Sequence, residues 1–473
     1  MPSEMTSICL FRRDMRLTDN PALAAAAANG PVCAAFWVDA VLRAQGAASR
    51  WRVGEALKAL DVDLRRQGGA MTVVEGDEAA VLALASAIDA REVHVCDWPA
   101  PARLEADRLL ARTLEASGLR LVVHHAHTLL PPGAVQTRQG KGFRVFTPFS
   151  RAARTVGAAP PRPAPSGVCW IVPAGLPPGF AATIPDLAPD MDRGADVVNA
   201  HSPPAGEAAA TTRLAQFISR SADYVAGRDR LDKQMAGSGL SDALAVGEIS
   251  PRTVWAAAQD IACDPEHAPA AEKFMSELLW RDFAWSLLIE APWMESKTWN
   301  PRFVGFPWRE VREDLTAWQR GQTGEPLVDA GMRELFVTGR MHNRARMAAA
   351  SYLTKHLLID WRAGLDWFAD TLMDWDPASN ATNWQWVAGS GPDASPFFRI
   401  FNPATQAEKF DPDGVYRRRW LYGWQGSKSD GARAFFDAAP RSWGLDPSRG
   451  YDLRPIIGLA EGRLRALAAF EQV

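Results

Sequence analysis

The chain has 473 residues, which is more than one hydrophobic core usually organises, so we expect two domains. Its apolar fraction of 47%, charged fraction of 23% and formal net charge of -3 are those of an ordinary globular protein, and they exclude a strongly basic chain that binds nucleic acid over its whole surface. Any anionic ligand must therefore bind a local basic patch.

The cysteines and the apolar segments indicate a compartment. Cys9, Cys33, Cys96, Cys169 and Cys263 lie far apart with no CxxC pair, which argues against a zinc site, an iron–sulfur cluster or a disulfide framework. The N-terminal "MPSEMTSICLFRRDMRL" becomes charged after a short apolar run, and no segment offers the roughly 18 uncharged apolar residues of a membrane span. We expect a cytoplasmic protein with no bound metal and no membrane contact.

Residues 1–130 alternate between short β-rich runs and longer helical patterns. The runs "SICLF", "VCAAFWV", "MTVVEG", "EVHVCD" and "LRLVVHH" alternate with segments such as "RWRVGEALKALDVDLRRQGG". This alternation predicts a Rossmann-like α/β domain with a parallel sheet. No GxGxxG follows the first run; "FRRDMRLTDNPAL" stands there instead, which argues against a nicotinamide dinucleotide.

The remainder of the chain divides into a connector and a helical domain. Residues 131–210 are assigned to a long connector, because Pro, Ala and Gly in "GAAPPRPAPSG" and "HSPPAGEAAA" break both periods. Residues 211–473 contain long helical patterns such as "AAEKFMSELLWRDFAWSLLIE" and "NRARMAAASYLTKHLLIDW". We expect an all-α C-terminal domain there.

Tryptophan is unusually frequent in this helical half. The chain has 19 tryptophans, most of them from Trp255 onward, and core packing is the simplest interpretation for the majority. In "SELLWRDF", Glu277, Trp280 and Arg281 are spaced i, i+3 and i+4, so they share one side of a helix. An ordinary ion-paired helix face explains that spacing as well as a binding site does.

Several segments in order identify a resemblance. The segments "FRRDMRLTDNPAL", "FRVFTPFSRA", "GEISPR", "SELLWRDF", "VDAGMREL", "MHNRARM", "YLTKHLLIDWRAG", "NWQWVAGSGPDASPFFRIFNP" and "KFDPDGVYRRRW" cover essentially the whole chain. Together they resemble the cryptochrome/photolyase family, and most closely its bacterial class I cyclobutane pyrimidine dimer photolyases. The resemblance implies FAD in the helical domain, facing a cavity that receives a flipped-out pyrimidine dimer.

The resemblance also assigns FAD-binding residues. The positions that match are Tyr224, Ser238, Leu240, Ser241, Arg346, Asp374, Asp376 and Asn380. Asn380 matches the residue whose side chain faces flavin N5, where plant cryptochromes usually have Asp and animal ones Cys. Asp374 is implied to pair with Arg346, and Asp376 to lie nearer the N3 edge of the flavin. In "GSGLSDAL", Gly237 and Gly239 replace the Thr and Arg of the family's phosphate-binding loop.

On the substrate side, the resemblance implies contacts with the lesion and with DNA phosphates. The matching residues are Arg228, Glu277, Trp280, Asn343, Arg344, Met347, Trp386 and Arg399. Glu277 is implied to bind the base edges, Trp280 and Trp386 to form aromatic walls, and the arginines to bind phosphates. The pocket segment "MHN" has one His, whereas (6-4) photolyases have two adjacent histidines, which favours the cyclobutane dimer.

Three tryptophans match the family's electron relay. Trp384 is implied to lie next to the flavin, Trp361 to be the middle member and Trp308 the outer one. Indole can be oxidised and can pass an electron hole to its neighbour, which Phe or Leu cannot do. We expect these three to act with Glu277 and Asn380 in the light-driven chemistry.

Two departures from the family pattern limit the resemblance. The segments "TGEP" and "TGRMHN" place Glu325 and Arg340 where the family usually has aromatic residues, and their opposite charges suggest a compensating ion pair. If the two residues line the pocket, we expect a lesion preference that differs from that of the family. After Trp98 the chain has "PAPARLEADR", so the residues that hold a folate antenna are not recognisable. A folate, a deazaflavin or no antenna chromophore all remain open.

Two functions are consistent with these motifs. The first is a light-driven lyase that splits cyclobutane pyrimidine dimers in UV-damaged DNA, acting as a monomer. The second is a cryptochrome-type blue-light receptor with the same FAD and tryptophans. Such receptors often carry a long C-terminal extension, whereas this sequence ends soon after "YRRRW", so we expect the repair enzyme.

Overall fold

A computed structural model describes residues 5–174, 179–191, 193–393, 398–452 and 454–472. Its N-terminal part is built on a six-stranded sheet with the strand order β5-β4-β1-β2-β3-β6. The strands are β1 (Ser7–Phe11), β2 (Val32–Val38), β3 (Thr72–Glu75), β4 (Glu92–Cys96), β5 (Arg120–His124) and β6 (Phe180–Ala181). Strands β1 to β5 pair in parallel, and β6 joins the edge of β3 antiparallel.

The buried strands explain the continuous apolar runs of the sequence. Every residue of β1, β2 and β4 is buried, as expected of a parallel sheet covered on both faces. The helices that alternate with the strands are α1 (Pro21–Asn29), α2 (Ala40–Arg43), α3 (Ala47–Arg66), α4 (Glu78–Ala87) and α5 (Pro101–Glu115). Asn20 and Asp77 cap α1 and α4 by accepting hydrogen bonds from backbone N–H groups of the first turn. The predicted α/β domain is confirmed.

The connector contains regular structure that the sequence did not indicate. Helices α6 (Phe146–Val156) and α7 (Ala195–His201) lie in it, and so does β6, which extends the sheet of the first domain. A two-residue strand is too short to show a period of two, so the Pro- and Gly-rich composition concealed it. The connector therefore returns to the sheet before the chain enters the helical half.

The C-terminal half is helical, as predicted. Its helices are α8 (Glu207–Ile218), α9 (Tyr224–Gly227), α10 (Ser241–Val246), α11 (Pro251–Ala262), α12 (Ala268–Glu290), α13 (Arg312–Gln319), α14 (Pro326–Thr338), α15 (Asn343–Ser351), α16 (Trp361–Thr371), α17 (Pro377–Ala388), α18 (Pro403–Phe410), α19 (Val415–Trp420), α20 (Asp430–Ala438) and α21 (Leu459–Phe470). A π-helical turn, Tyr352–His356, continues α15. Short 3-10 turns lie at Ser221–Asp223, Gln234–Ala236, Pro292–Glu295, Pro301–Phe303, Trp424–Gly426, Arg441–Trp443 and Pro447–Arg449.

Long helix α12 organises one side of the helical domain. It packs against α6, α11 and α17, while α17 also contacts α15 and α16. Trp285, Trp318 and Trp361 are among the largest fully buried side chains, so many of the tryptophans do fill the core. The helices α12, α15 and α16 therefore meet α17 around one region, and these four helices carry half of the residues predicted to bind FAD, the lesion or DNA.

Two further observations concern membrane-spanning helices and metal-ligand clusters, and both apply to the described residues. Among them, no helix combines the length and the apolar character needed to cross a membrane. Nor do the described side chains form a group of three or more His, Cys, Asp or Glu that could hold a metal ion.

Candidate active site

Helix α17 presents Asn380 and Trp384 on one face. Asp376 caps the helix by accepting a hydrogen bond from the Ser379 backbone N–H at 2.8 Å. Asn380 and Trp384 follow one turn apart. The side-chain nitrogen of Asn380 donates to the Leu365 carbonyl oxygen at 3.0 Å. Because a carbonyl can only accept, this bond fixes the orientation of the Asn380 amide and leaves its oxygen free to accept another hydrogen bond.

Arg346 and Asp374 form an ion pair beside this face. Arg346 Nη2 lies 2.7 Å from Asp374 Oδ2, and Arg346 Nε donates to the Met341 carbonyl oxygen at 2.8 Å. The second carboxylate oxygen, Asp374 Oδ1, is buried and has no hydrogen-bond partner in the described part of the chain. A buried carboxylate oxygen without a donor costs free energy. The position therefore fits a ligand that offers an N–H or O–H group, and a flavin with its ribityl chain offers both.

Asp376 has partners that the sequence did not reveal. Trp285 Nε1 donates to Asp376 Oδ2 at 2.9 Å, and His127 Nε2 lies 3.9 Å from the same oxygen. Burial raises the pKa of Asp376, but the contact with His127 and the charge of Arg281 outweigh it, so the pKa falls to about 2. The carboxylate is therefore charged, and it holds the start of α17 against α12. Its predicted contact with the flavin stays a prediction.

Arg213 anchors the loop predicted to hold FAD phosphates. Arg213 Nη1 donates to the Gly239 carbonyl oxygen at 2.8 Å and to the Asp242 carboxylate at 2.9 Å. Ser238 is partly exposed and Ser241 exposed, whereas Leu240 is buried in the core. The two hydroxyl groups therefore lie at the surface of the loop, while Leu240 fixes the loop from the inside.

Tyr224 lies in the hydrophobic core beside the loop. Its ring packs edge-on against Phe217 and Phe274, with centroid distances of 5.2 and 5.9 Å. The guanidinium carbon of Arg228 stands 5.6 Å from the same ring. Burial raises the pKa of Tyr224 to about 12, so its hydroxyl stays protonated and can donate.

The structure brings Glu277 and Arg228 together. Arg228 Nη2 lies 3.1 Å from Glu277 Oε1, and Lys273 Nζ lies 2.8 Å from the same oxygen. These residues were predicted for different ligand groups, the lesion bases and a DNA phosphate. In the protein alone they form an ion-paired cluster. The simple interpretation of an i,i+4 pair between Glu277 and Arg281 is wrong among the described residues: Glu277 pairs with Lys273 on the preceding turn, and Arg281 donates to the His127 carbonyl oxygen at 2.7 Å.

Trp280 is supported by an aromatic ring that the sequence analysis did not single out. Phe146 stacks on it with a centroid distance of 3.7 Å and an interplanar angle of 8°. Phe283 contacts both rings, at 5.7 and 5.9 Å. Phe146 lies in the segment "FRVFTPFSRA", which belongs to the family pattern, so the signal was present without a role attached. The stack fixes the orientation of the Trp280 indole ring.

Helix α15 carries another group of predicted pocket residues. The Asn343 side-chain nitrogen lies 3.8 Å from the sulfur of Met347. Arg344 forms an ion pair with Asp229. Its Nε is buried and has no partner within the described chain. His342 caps α15 by accepting from the Arg344 backbone N–H at 3.1 Å, and burial lowers the pKa of His342 to about 4, so this imidazole is neutral.

Trp386 and Arg399 lie near each other. The Arg399 guanidinium carbon is 5.9 Å from the Trp386 ring, and Phe401 packs at 6.3 Å on the same indole. Arg399 is exposed and Trp386 partly buried. The arginine can therefore move towards a phosphate while the indole stays in the wall.

Trp384 is buried among aromatic groups. A Cβ built on Gly364 would come within 2.1 Å of its ring, so only glycine allows α16 to approach this indole so closely. Trp361 lies three residues before Gly364 on α16, and residues three apart on a helix are neighbours. Trp318, which the sequence analysis did not single out, contacts Trp384 edge-on at 6.1 Å.

The residue after Trp308 is joined by a backbone hydrogen bond to the segment that precedes α16. The Arg309 backbone N–H donates to the Leu358 carbonyl oxygen at 2.7 Å, close in sequence to Trp361. Trp308 is partly buried and packs against Phe306 at 4.4 Å. Trp384 and Trp361 are thus both buried and Trp308 is partly buried, and their order as an electron relay stays a prediction.

Glu325 and Arg340 do not form the expected ion pair. Among the described residues no such pair joins them. Glu325 precedes α14, where burial and the charge of Asp329 raise its pKa to about 7. Arg340 instead lies beside the loop predicted to hold FAD phosphates. Its Nη2 is 3.5 Å from the position of a Cβ built on Gly239. The two substitutions are therefore independent.

The comparisons with known proteins agree with this geometry. Residues 7–166 match the DNA photolyase family, and residues 274–472 match the FAD binding domain of DNA photolyase. The chain is 40% identical to the deoxyribodipyrimidine photo-lyase of Agrobacterium fabrum (strain C58) over 98% of both proteins. The crystal structure of a bacterial class III photolyase from Agrobacterium tumefaciens matches with a TM-score of 0.84 and 38% identity, over 100% of this chain and 98% of that one. A cryptochrome from Synechocystis sp. PCC6803 matches with a TM-score of 0.84 and 27% identity, over 99% and 100%.

Proposed function

Because this chain belongs to the photolyase/cryptochrome family, we propose that it is an FAD-dependent deoxyribodipyrimidine photolyase, which splits cyclobutane pyrimidine dimers in UV-damaged DNA under blue light. The class I subgroup expected from the motifs is not supported, since the A. tumefaciens structure that spans the chain is described as a class III photolyase. The observation that carries the proposal is the pair of polar groups at the start of α17, namely the unpaired oxygen of Asp374, just before the helix, and the oriented amide of Asn380 within it.

These residues would hold the flavin and set its hydrogen bonds. When bound and reduced, the flavin supplies the electron that opens the cyclobutane ring after absorption of blue light. The ion pair with Arg346 would hold Asp374 in place, so that its free oxygen can accept from the ligand. Asn380 offers its oxygen because its nitrogen is engaged by Leu365. An amide at this position changes hydrogen bonding without adding charge.

The lesion would bind between the aromatic side chains. Trp280, whose ring orientation is fixed by Phe146, offers one stacking surface, and Trp386 offers a second. Glu277 would exchange its contacts with Arg228 and Lys273 for the N–H groups of the flipped bases. The released arginine would then bind a DNA phosphate, together with Arg344 and Arg399. In this proposal, lesion and phosphate binding are linked through one ion pair.

The tryptophans would keep the flavin reduced between repair events. Trp384 would supply an electron to photoexcited oxidised flavin, and Trp361 and Trp308 would carry the hole outward. Repair itself would not need this relay, because the three tryptophans would act only in restoring the reduced state of the flavin.

A blue-light receptor is the second candidate, and the likeness to the Synechocystis cryptochrome favours it. A test in cells distinguishes the two functions: bacteria that lack a photolyase are given this gene, exposed to UV, and then kept under blue light or in darkness. The lyase predicts survival that rises only under blue light and only with the gene. Equal survival in light and darkness, with a protein that still binds FAD, would favour the receptor.

A further inference from the structure

We propose that Arg340 supplies the guanidinium that binds the diphosphate of FAD, from a different element than the loop on which a basic residue was expected. The inference rests on the proposed function, because it concerns the same cofactor. It assigns a role to a residue that the motifs did not explain.

The first observation is the position of Arg340. Gly239 has a φ of +64°, a backbone conformation that favours glycine. A Cβ at this position would lie 3.5 Å from Arg340 Nη2. The guanidinium therefore stands beside the loop, in the space that a side chain of residue 239 would enter. The positive charge that residue 239 lacks is present, but it comes from the turn between α14 and α15.

The second observation is that this guanidinium is unpaired. Arg340 is partly buried, and within the described chain its side chain makes no hydrogen bond and no ion pair. Its backbone is fixed, because the Arg340 N–H donates to Thr338 Oγ1 at 3.0 Å and the Arg340 carbonyl oxygen accepts from the same hydroxyl at 3.0 Å. A guanidinium has five N–H donors, and partial burial removes water from them. A fixed backbone with free N–H donors is the arrangement expected of a residue that binds an anionic ligand.

The third observation is the charge balance around the loop. Asp242 and Glu248 are fully buried, and Arg52 and Arg213 already lie within ion-pair distance of both. Two carboxylates thus face two guanidinium groups, and Arg340 adds a further positive charge within electrostatic range of Asp242 and of Glu334. Burial raises the pKa of Asp242, but the charges of Arg340, Arg52 and Arg213 more than offset it and leave the pKa below its usual value. Because Arg52 and Arg213 already pair with the two carboxylates, the guanidinium of Arg340 remains available for an anionic ligand.

The fourth observation is the space and the hydrogen-bonding capacity of the loop. A Cβ on Gly237 would meet no atom within 4 Å, so the backbone is open on this side. Ser238 and Ser241 form no side-chain hydrogen bond with the described residues. Two hydroxyl groups, open backbone and an unpaired guanidinium are therefore all found at or beside this one short loop. Phosphate groups, which carry several acceptor oxygens, match these donors.

The test measures FAD binding by the full-length protein after the flavin has been removed and titrated back. Arg340→Gln is expected to weaken FAD binding about 10- to 100-fold, because a charge-assisted hydrogen bond is lost. It should also flatten the dependence of the dissociation constant on ionic strength, because fewer charges are screened. Arg340→Lys keeps the charge and should retain the ionic-strength dependence with a smaller loss of affinity. Arg418→Gln, a partly buried arginine that donates to Gln425, is the matched control and should bind FAD like the wild type.

The outcomes separate this inference from other roles of Arg340. Unchanged FAD affinity in Arg340→Gln overturns it, and unchanged affinity with weaker binding of dimer-containing DNA would place Arg340 in the lesion pocket. Equal losses in the Gln and Lys variants, with a lower melting temperature of both flavin-free proteins, would indicate a structural role and also overturn it. A wild-type protein that takes up no FAD would instead overturn the proposed function, before any variant is compared.

Discussion

Replacing Trp384 by Phe should separate photoreduction from DNA repair. The Trp384 side chain is 2% exposed and packs against Gly364, Phe368 and Trp318. Phenylalanine keeps one aromatic ring there and leaves a cavity of roughly 40 Å³, which at about 24 cal/mol per Å³ costs about 1 kcal/mol. That is small beside a typical unfolding free energy of about 5–15 kcal/mol. The variant should therefore fold and bind FAD.

The assay compares two reactions of this variant with those of the wild type. Light-driven reduction of the oxidised flavin, followed by its absorbance, should nearly vanish in Trp384→Phe, because a phenyl ring is not oxidised in place of the indole. After chemical reduction, the variant should split dimers under blue light at close to the wild-type rate. The control Trp255→Phe changes a buried tryptophan of α11 that packs in a different hydrophobic cluster from Trp384, and this variant should reduce its flavin normally. Rapid photoreduction of Trp384→Phe would refute the relay and would make Trp318 the first tryptophan to replace next.

The remaining predictions concern the lesion, the phosphates and stability. Glu277→Gln should keep FAD and weaken the binding of dimer-containing DNA by about 1.5–3 kcal/mol, measured by titration of a labelled oligonucleotide. Trp280→Ala should lose about 1–3 kcal/mol in the same titration, because a stacking surface is removed. Arg228→Ala should lower the slope of log affinity against log salt concentration by about 0.9 on duplex DNA. Burial raises the pKa of Glu325 to about 7 from its usual 4.5, so folding stability should fall as pH rises between these values. Glu325→Gln should therefore stabilise the protein by roughly 2–3 kcal/mol more at pH 8 than at pH 5 in thermal unfolding.

Each of these predictions has a result that contradicts it. Full lesion affinity in Glu277→Gln or Trp280→Ala would move the pocket away from α12. A salt slope that Arg228→Ala leaves unchanged would mean that this arginine serves only its pair with Glu277. A stabilisation by Glu325→Gln that is equal at both pH values would mean that the carboxyl group does not titrate between them.

The sequence predicted the fold well because its signals are local and periodic. Strands β1, β2 and β4 are buried on both faces and therefore appear as continuous apolar runs. The capping Asp376 and Pro377 mark the start of α17. Strand β6 was missed because its pairing with β3 joins residues far apart in sequence, and two residues carry no period.

The site was predictable where the family pattern fixes a residue type and less so where contacts are long-range. The pair Arg346–Asp374 was expected and is present. The stack of Phe146 on Trp280 and the hydrogen bond from Trp285 to Asp376 each join distant segments, and nothing local in the sequence indicates which groups meet.

The two unusual charges show the limit of such reasoning most clearly. Opposite signs at Glu325 and Arg340 suggested an ion pair, because charge is visible in a sequence and position is not. In the structure Arg340 lies beside Gly239, the other position at which the phosphate loop departs from the family. The sequence contained both departures, but only the fold relates them to each other.

The most direct test of the proposed lyase is dimer splitting by the purified protein. The reduced full-length protein is mixed with an oligonucleotide that contains one thymine dimer, and restored thymines are measured after blue light and after darkness. The account predicts that thymines return with many turnovers under blue light and not in darkness, and that Glu277→Gln is slower at limiting substrate. A reduced, FAD-loaded protein that restores no thymines under blue light would contradict it.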